Sequence, residues 1–212
     1  MKRLLALSMV FFLTISLLAA CGGNSDSDTE NPGNNESSTG NVSTTTVRDV
    51  IKASALISNE DAAAILGQGV EDGTIAVQKP FNDEVRYEAE SYTLAVALSQ
   101  EALYDKDSDL QKSLMENGWS SYMQQMEKAY VANYYEQNIV ELSGMAGASY
   151  LQEGIGFGTW LLHVFCDDYY ITLSLSNASM NHEDSEDEIL WKHEKLKEAG
   201  NLAVKHLKAI LE

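Results

Sequence analysis

The chain has 212 residues, 44% of them hydrophobic and 22% charged, with 14 Lys and Arg against 32 Asp and Glu. A net charge of −18 argues against a nucleic-acid partner, because that affinity rests on Lys and Arg neutralising phosphates. Two cysteines exclude a disulfide-rich scaffold, and the absence of recurring hydrophobic runs excludes a multi-pass membrane protein.

Met1, Lys2 and Arg3 supply a short positive start, and residues 4–18 form an uncharged run of fifteen. That run is shorter than the roughly 20 residues of a permanent spanning helix and has the length of a signal-peptide core. The segment Leu18-Ala19-Ala20-Cys21, followed by Gly22-Gly23-Asn24-Ser25, resembles the lipobox of bacterial lipoproteins. The resemblance implies that residues 1–20 are a lipoprotein signal peptide and that Cys21 becomes the mature N-terminus. Its thiol would then carry diacylglycerol and palmitate-like chains, and two acyl chains hold a protein stably on a membrane where one is marginal. The expected location is the bacterial cell membrane, lipid-anchored, with the domain exposed outside the cytoplasm. Without Lys2 and Arg3 the mature chain keeps 12 basic against 32 acidic residues, a net charge of −20. Anionic lipid repels such a domain rather than holding it flat.

Residues 22–46 hold one aliphatic residue, Val42, and four acids. Such a stretch buries too little apolar surface to offset its ordering entropy, so it reads as a disordered tether. As a flexible coil its ends lie about 28 Å apart, and fully extended it reaches on the order of 85 Å. Residues 47–212 are enough for a single globular domain; Pro80 is the only proline after the tether, and no second linker is evident.

Within the domain, Ser58-Asn59-Glu60-Asp61 before AAAILG predicts a short capped helix closed by Gly67. Residues 74–78 and 85–89 read as strands around a turn at Pro80-Phe81-Asn82-Asp83. Tyr92, Leu94, Val96 and Leu98 alternate with Thr93, Ala95, Ala97 and Ser99, a strand pattern. Residues 110–135 carry Leu114, Trp119, Tyr122, Met126, Ala129 and Tyr130 at helical spacing, with Asn117-Gly118 expected to kink or split the helix. A short strand is expected around 139–142, then strands at 159–166 and 170–176. A long C-terminal helix is expected over 186–211, with Ile189, Leu196, Ala199, Ala203, Leu207 and Ile210 in one stripe. Tight links between neighbouring strands predict an α+β fold: a mostly antiparallel sheet packed by helices. The segments LISNEDAAAILG, VELSGMAGASYL and NLAVKHLKAIL resemble a group of small bacterial lipoproteins with a PsbP-like α/β/α sandwich. The resemblance implies that sandwich over most of residues 55–212 and assigns no activity. In place of a Gly-Leu-Gly-Asp turn this chain has Gly144-Met145-Ala146-Gly147.

Candidate chemistry is sparse. His163 and Cys166 lie three apart on a strand, so they face opposite ways and form no nucleophile–base pair. Asp105, Asp107, Asp109 and Glu116 match positions 1, 3, 5 and 12 of a calcium loop, but Leu110 stands where the turn needs glycine. They are weak metal candidates, read more simply as a helix start. The run from His182 to Glu188 offers many oxygen ligands for a cation and reads more simply as a solvated loop. Gly154-Ile155-Gly156-Phe157-Gly158 precedes a strand rather than a helix, so it is a turn and not a phosphate loop. His193 and His206 are too far apart along a helix to share a metal. Tyr134 and Tyr135 are candidates to rim a groove with Trp160 or Tyr169. No catalytic set or cofactor motif emerges. The expectation is a non-catalytic envelope protein binding a protein or peptide partner; the alternative is a small-ligand or cation-binding lipoprotein serving a transporter or sensor.

Overall fold

The structure, a computed structural model, describes residues 49–71, 73–75, 81–130, 132–156, 158–179 and 182–212. The signal segment, Cys21 and the tether lie outside the described residues, as do Pro80 and positions 76–78 of the first expected strand. In chain order the elements are α1 (Asn59–Leu66), β1 (Thr74–Ile75), β2 (Asn82–Glu88), β3 (Tyr92–Ser99), α2 (Asp109–Leu114), α3 (Trp119–Tyr130), β4 (Glu136–Gln137), β5 (Gly147–Glu153), β6 (Trp160–Cys166), β7 (Tyr169–Asn177) and α4 (Glu186–Leu211). The fold is α+β. Its described strands form one sheet in the order β1-β2-β3-β7-β6-β5-β4, antiparallel at every step. Two meanders, β1 to β3 and β4 to β7, meet where β3 pairs with β7 from Tyr92↔Asn177 to Ser99↔Tyr170.

Period-two alternation sorts the side chains of this sheet onto two faces. On the first face Leu94, Val96, Leu98, Leu162, Ile171 and Leu173 are fully buried. They pack against α4 through Leu196, Ala199, Ala203, Val204 and Leu207, and against α1 through Ala62, Ile65 and Leu66. The second face carries a smaller aromatic cluster, in which Trp119, Tyr122 and Met123 of α3 cover Phe81, Phe165 and Tyr170. Helices therefore lie on both sides of the sheet.

The helix termini are set by their caps. Ser58 and Asp61 form a reciprocal capping box at α1, and Gly67 ends the helix in the left-handed region at φ 65°. Ser185 and Glu188 do the same at α4, whose first turn adds Glu186 and Asp187 at the positive end of the helix dipole. As expected, Gly118, at φ 81°, separates α2 from α3. Close approach of α4 to the sheet depends on Gly200: a Cβ there would lie 2.6 Å from Leu162 Cδ2 and 2.7 Å from Val140 Cγ2. No described helix is long and apolar enough to cross a membrane.

Four expectations need correction. The strand expected at 139–142 is instead β4 at Glu136–Gln137, because Asn138 turns left-handed at φ 58° and swings Ile139 and Val140 into the core. There Val140 N–H donates to the Ser149 hydroxyl at 3.0 Å rather than continuing a ladder. Strand β5 has no counterpart among these expectations, since Ser149 and Tyr150 are both buried and hydropathy does not alternate along it. Its first residue, Gly147, must be glycine, as a Cβ would meet Phe165 O at 1.9 Å. Asn82 and Asp83 belong to β2 rather than to a turn, with Asp83 buried and accepting from Ala53 N–H at 2.7 Å. Tyr134 and Tyr135 follow α3 rather than lying in it, and Ile210 at the end of α4 is exposed.

Candidate functional site

The second face of the sheet is only partly covered. The aromatic cluster holds α3 over β5 to β7 and Phe81, while the middle of the face carries small and polar residues. Thr93, Ala95, Ala97 and Ser99 of β3 lie beside Thr172, Ser174 and Ser176 of β7. Together with Leu114, Tyr122, Met126 and Tyr130 of α2 and α3 they bound an open groove of about 620 Å³. That volume falls in the ordinary range of small-molecule sites, about 300–1,000 Å³. The hydroxyls of Thr93, Ser174 and Ser176 make no hydrogen bond to another described residue. At one edge Arg86 Nε donates to Glu84 Oε1 at 2.8 Å, and Glu84 is buried. Asn82 Oδ1 is buried without a partner among the described residues.

His163 stands at the α3 side of the groove, 2% exposed. Its Nδ1 lies 2.7 Å from the Tyr170 hydroxyl and its Nε2 3.2 Å from Gln152 Oε1. Since Gln152 Oε1 only accepts, Nε2 carries the proton and Nδ1 accepts from Tyr170. Tyr130 stacks on the imidazole at 5.4 Å between ring centroids while staying 42% exposed. Burial lowers the His163 pKa to about 4, so the imidazole is neutral and the chain of side chains holds one polarity. Burial raises the Tyr170 phenol. Tyr150 is pushed up to about 12, by burial and then by its bond to Glu127, whose Oε1 accepts at 2.7 Å.

The sequence candidates are distributed as follows. Cys166 faces the apolar side, opposite His163, and burial with the nearby Asp167 charge pushes its thiol up to about 12. Asp105 Oδ1 accepts from Asp107 N–H at 2.9 Å, Asp109 pairs with Lys112 at 3.1 Å, and Ser108 caps α2. Asp105 and Asp107 precede α2 and Asp109 begins it, whereas Glu116 lies beyond its C-terminal end; among the described residues, the one group of three potential ligands that converges is His182, Asp184 and Glu188, within 4.8 Å of one another. Their charges are already engaged. Lys192, fully buried, donates to Asp184 Oδ2 at 2.6 Å, Asn177 Oδ1 at 2.7 Å and Gly158 O at 2.7 Å, and Asn177 donates to Asp184 Oδ1 at 2.8 Å. Glu188 is lowered to about 2, first by the Ser185 backbone N–H and then by His182. Of the glycine-rich run, Phe157 lies outside the described residues. Gly154 N–H donates to Thr159 O at 2.8 Å, and Thr159 N–H donates to Gly156 O at 3.0 Å, a turn leading into β6.

Tyr135 does meet Trp160, edge-on at 5.4 Å, and Tyr134 meets Tyr150 at 5.6 Å; neither lines the groove. The alternation of β3 and β7 marks a small, polar second face, but no local pattern reports that helices on the same side leave it as a cleft. The usable signal is a pair of strands whose second face is polar but small, next to a helix rich in Tyr and Met. No family model matches the chain, and no curated protein matches it.

His163 makes stability depend on pH. The unfolded imidazole, with its pKa near 6.5, takes up a proton before the folded one, near 4. Stability is therefore full above about pH 6.5 and is lost as pH falls through the window to 4, by roughly 3 kcal/mol. Urea unfolding between pH 7 and 4 should show the wild type losing about that much more than His163→Gln.

Proposed function

We propose that this chain is a lipid-anchored, non-catalytic binding protein of the bacterial cell envelope, whose ligand occupies the groove on the second face of the sheet. The groove of about 620 Å³ carries the reading. It favours a small ligand over a broad protein interface, because it is concave, mixed in polarity and floored by hydroxyls that make no hydrogen bond to another described residue. A binding role rather than catalysis is supported by the placement of the reactive groups. The thiol of Cys166 sits on the opposite face from His163, and His163 is buried, neutral and fully hydrogen-bonded. Anchoring rests on the Leu18-Ala19-Ala20-Cys21 resemblance to a lipobox. Tethered in this way, a ligand-binding domain works at the outer side of the membrane, handing its ligand to a transporter or reporting it to a sensor.

Two experiments test the reading. Expressing cells fed labelled palmitate should incorporate it into the wild-type chain and not into Cys21→Ser; a wild-type chain without label, or label that survives Cys21→Ser, would contradict a lipid anchor at Cys21. Thermal unfolding of the full chain in detergent should be scanned against small-molecule and peptide panels. A ligand at a hundredfold over its Kd adds about 2.7 kcal/mol, which is several degrees at roughly 2–4 °C per kcal/mol. The shift should vanish in Ala97→Trp, whose side chain fills the groove; a shift that survives puts the site elsewhere.

A further inference from the structure

The chemistry of the groove narrows its ligand. Its charged members, Glu84 and Arg86, are paired with each other at 2.8 Å, so neither offers an uncommitted charge to a ligand. The protein around it is strongly acidic, −18 over the whole chain, which repels anions from the mouth. What the floor does offer is hydroxyls. Thr93, Ser174 and Ser176 make no hydrogen bond to another described residue, and each hydroxyl both donates and accepts. The opposite wall is apolar and aromatic. Tyr130 has its ring orientation fixed by stacking on His163 at 5.4 Å, and Met126 and Tyr122 continue that wall.

A molecule complementary to both sides is uncharged, bears several hydroxyls that give and take hydrogen bonds, and has C–H faces to lay on an aromatic ring, whose face is electron-rich. Sugars have all three properties. A peptide fits less well, because β3 and β7 are interior strands with neighbours on both sides. Their main-chain groups are spent in the ladder, so no strand can be added on the floor. We infer that the groove binds a neutral saccharide of one or two rings, held by the hydroxyls of β3 and β7 and stacked against the tyrosines of α3. This inference rests on the groove being the binding site.

The test is isothermal titration of the full chain in detergent. The probes are neutral disaccharides (maltose, cellobiose and N,N′-diacetylchitobiose), then glucosamine and glucuronic acid, then tripeptides. The expected result is binding of at least one neutral disaccharide. Ala95→Trp should abolish it, and Ser174→Ala should weaken it roughly five- to tenfold, the worth of one hydrogen bond. Retention of the wild-type unfolding midpoint by Ser174→Ala would show that its loss of affinity is not a loss of fold. If only charged sugars or peptides bind, and Ala95→Trp abolishes that binding, the saccharide inference is overturned while the groove stands. Binding that survives Ala95→Trp, or silence from every probe, overturns both.

Discussion

The pairing of β3 with β7 is the seam on which the rest of the molecule depends. It joins two meanders that are each local in sequence, and it places residues 71 to 85 positions apart in an eight-residue register, Tyr92↔Asn177 through Ser99↔Tyr170. Both strands alternate strictly, so a slip of one residue would turn every Leu and Ile to the wrong side. With the register held, Leu94, Val96 and Leu98 lie beside Ile171, Leu173 and Leu175 in one apolar sheet face. The same register sets Thr93, Ala95 and Ala97 beside Ser176, Ser174 and Thr172 on the other. One constraint thus produces the core and the floor of the groove together.

The two faces meet different demands. The apolar face is closed by α4, and its contact is tight enough that Gly200 has no room for a Cβ. At the N-terminal end of α4, the Lys192 ammonium has three acceptors for its three donors: Asp184, Asn177 and Gly158. This ties the loop before α4, the end of β7 and the turn before β6 to a single point. A buried charge of this kind adds little net stability relative to apolar packing but fixes the arrangement, since removing one partner strands the other. The second face is left half-open. The aromatic cluster of Phe81, Trp119, Tyr122, Phe165 and Tyr170 anchors α3 at one side, and small and polar residues floor the remainder.

How much of this was legible follows from the kind of signal each element carries. α1 and α4 announce themselves by caps: Ser58 with Asp61, and Ser185 with Glu188. β3 and β7 announce themselves by alternation, and β6 by an apolar run broken only at His163; the two-residue period of a strand is enough to separate His163 from Cys166. β5 was not legible, because its inward residues Ser149 and Leu151 mix polarity and its outward Tyr150 is buried by α3 instead of by the main core. β4 was misplaced because nothing in hydropathy reports that Asn138 adopts φ 58°. The groove was half-legible: the polar residues were seen, but a cleft is a property of how helices cover a face, which local patterns do not encode. Lys192 gave no warning, since a lysine on a charged helix reads as solvated until three acceptors from three segments converge on it.

On this reading the hydroxyl floor is kept for a ligand and not for the fold. Natural proteins accept lower stability at binding surfaces than their sequences could otherwise reach. The most direct test is the unfolding midpoint of a triple variant, Thr93→Val, Ser174→Val and Ser176→Val, against the wild type. These hydroxyls make no hydrogen bond to another described residue, and valine suits a strand about as well as threonine and better than serine, by up to about 1 kcal/mol at each serine. The midpoint is expected to rise by a few degrees, at roughly 2–4 °C per kcal/mol. A fall would mean that the hydroxyls hold the sheet together, and the groove would then be a consequence of folding rather than a place made for a ligand.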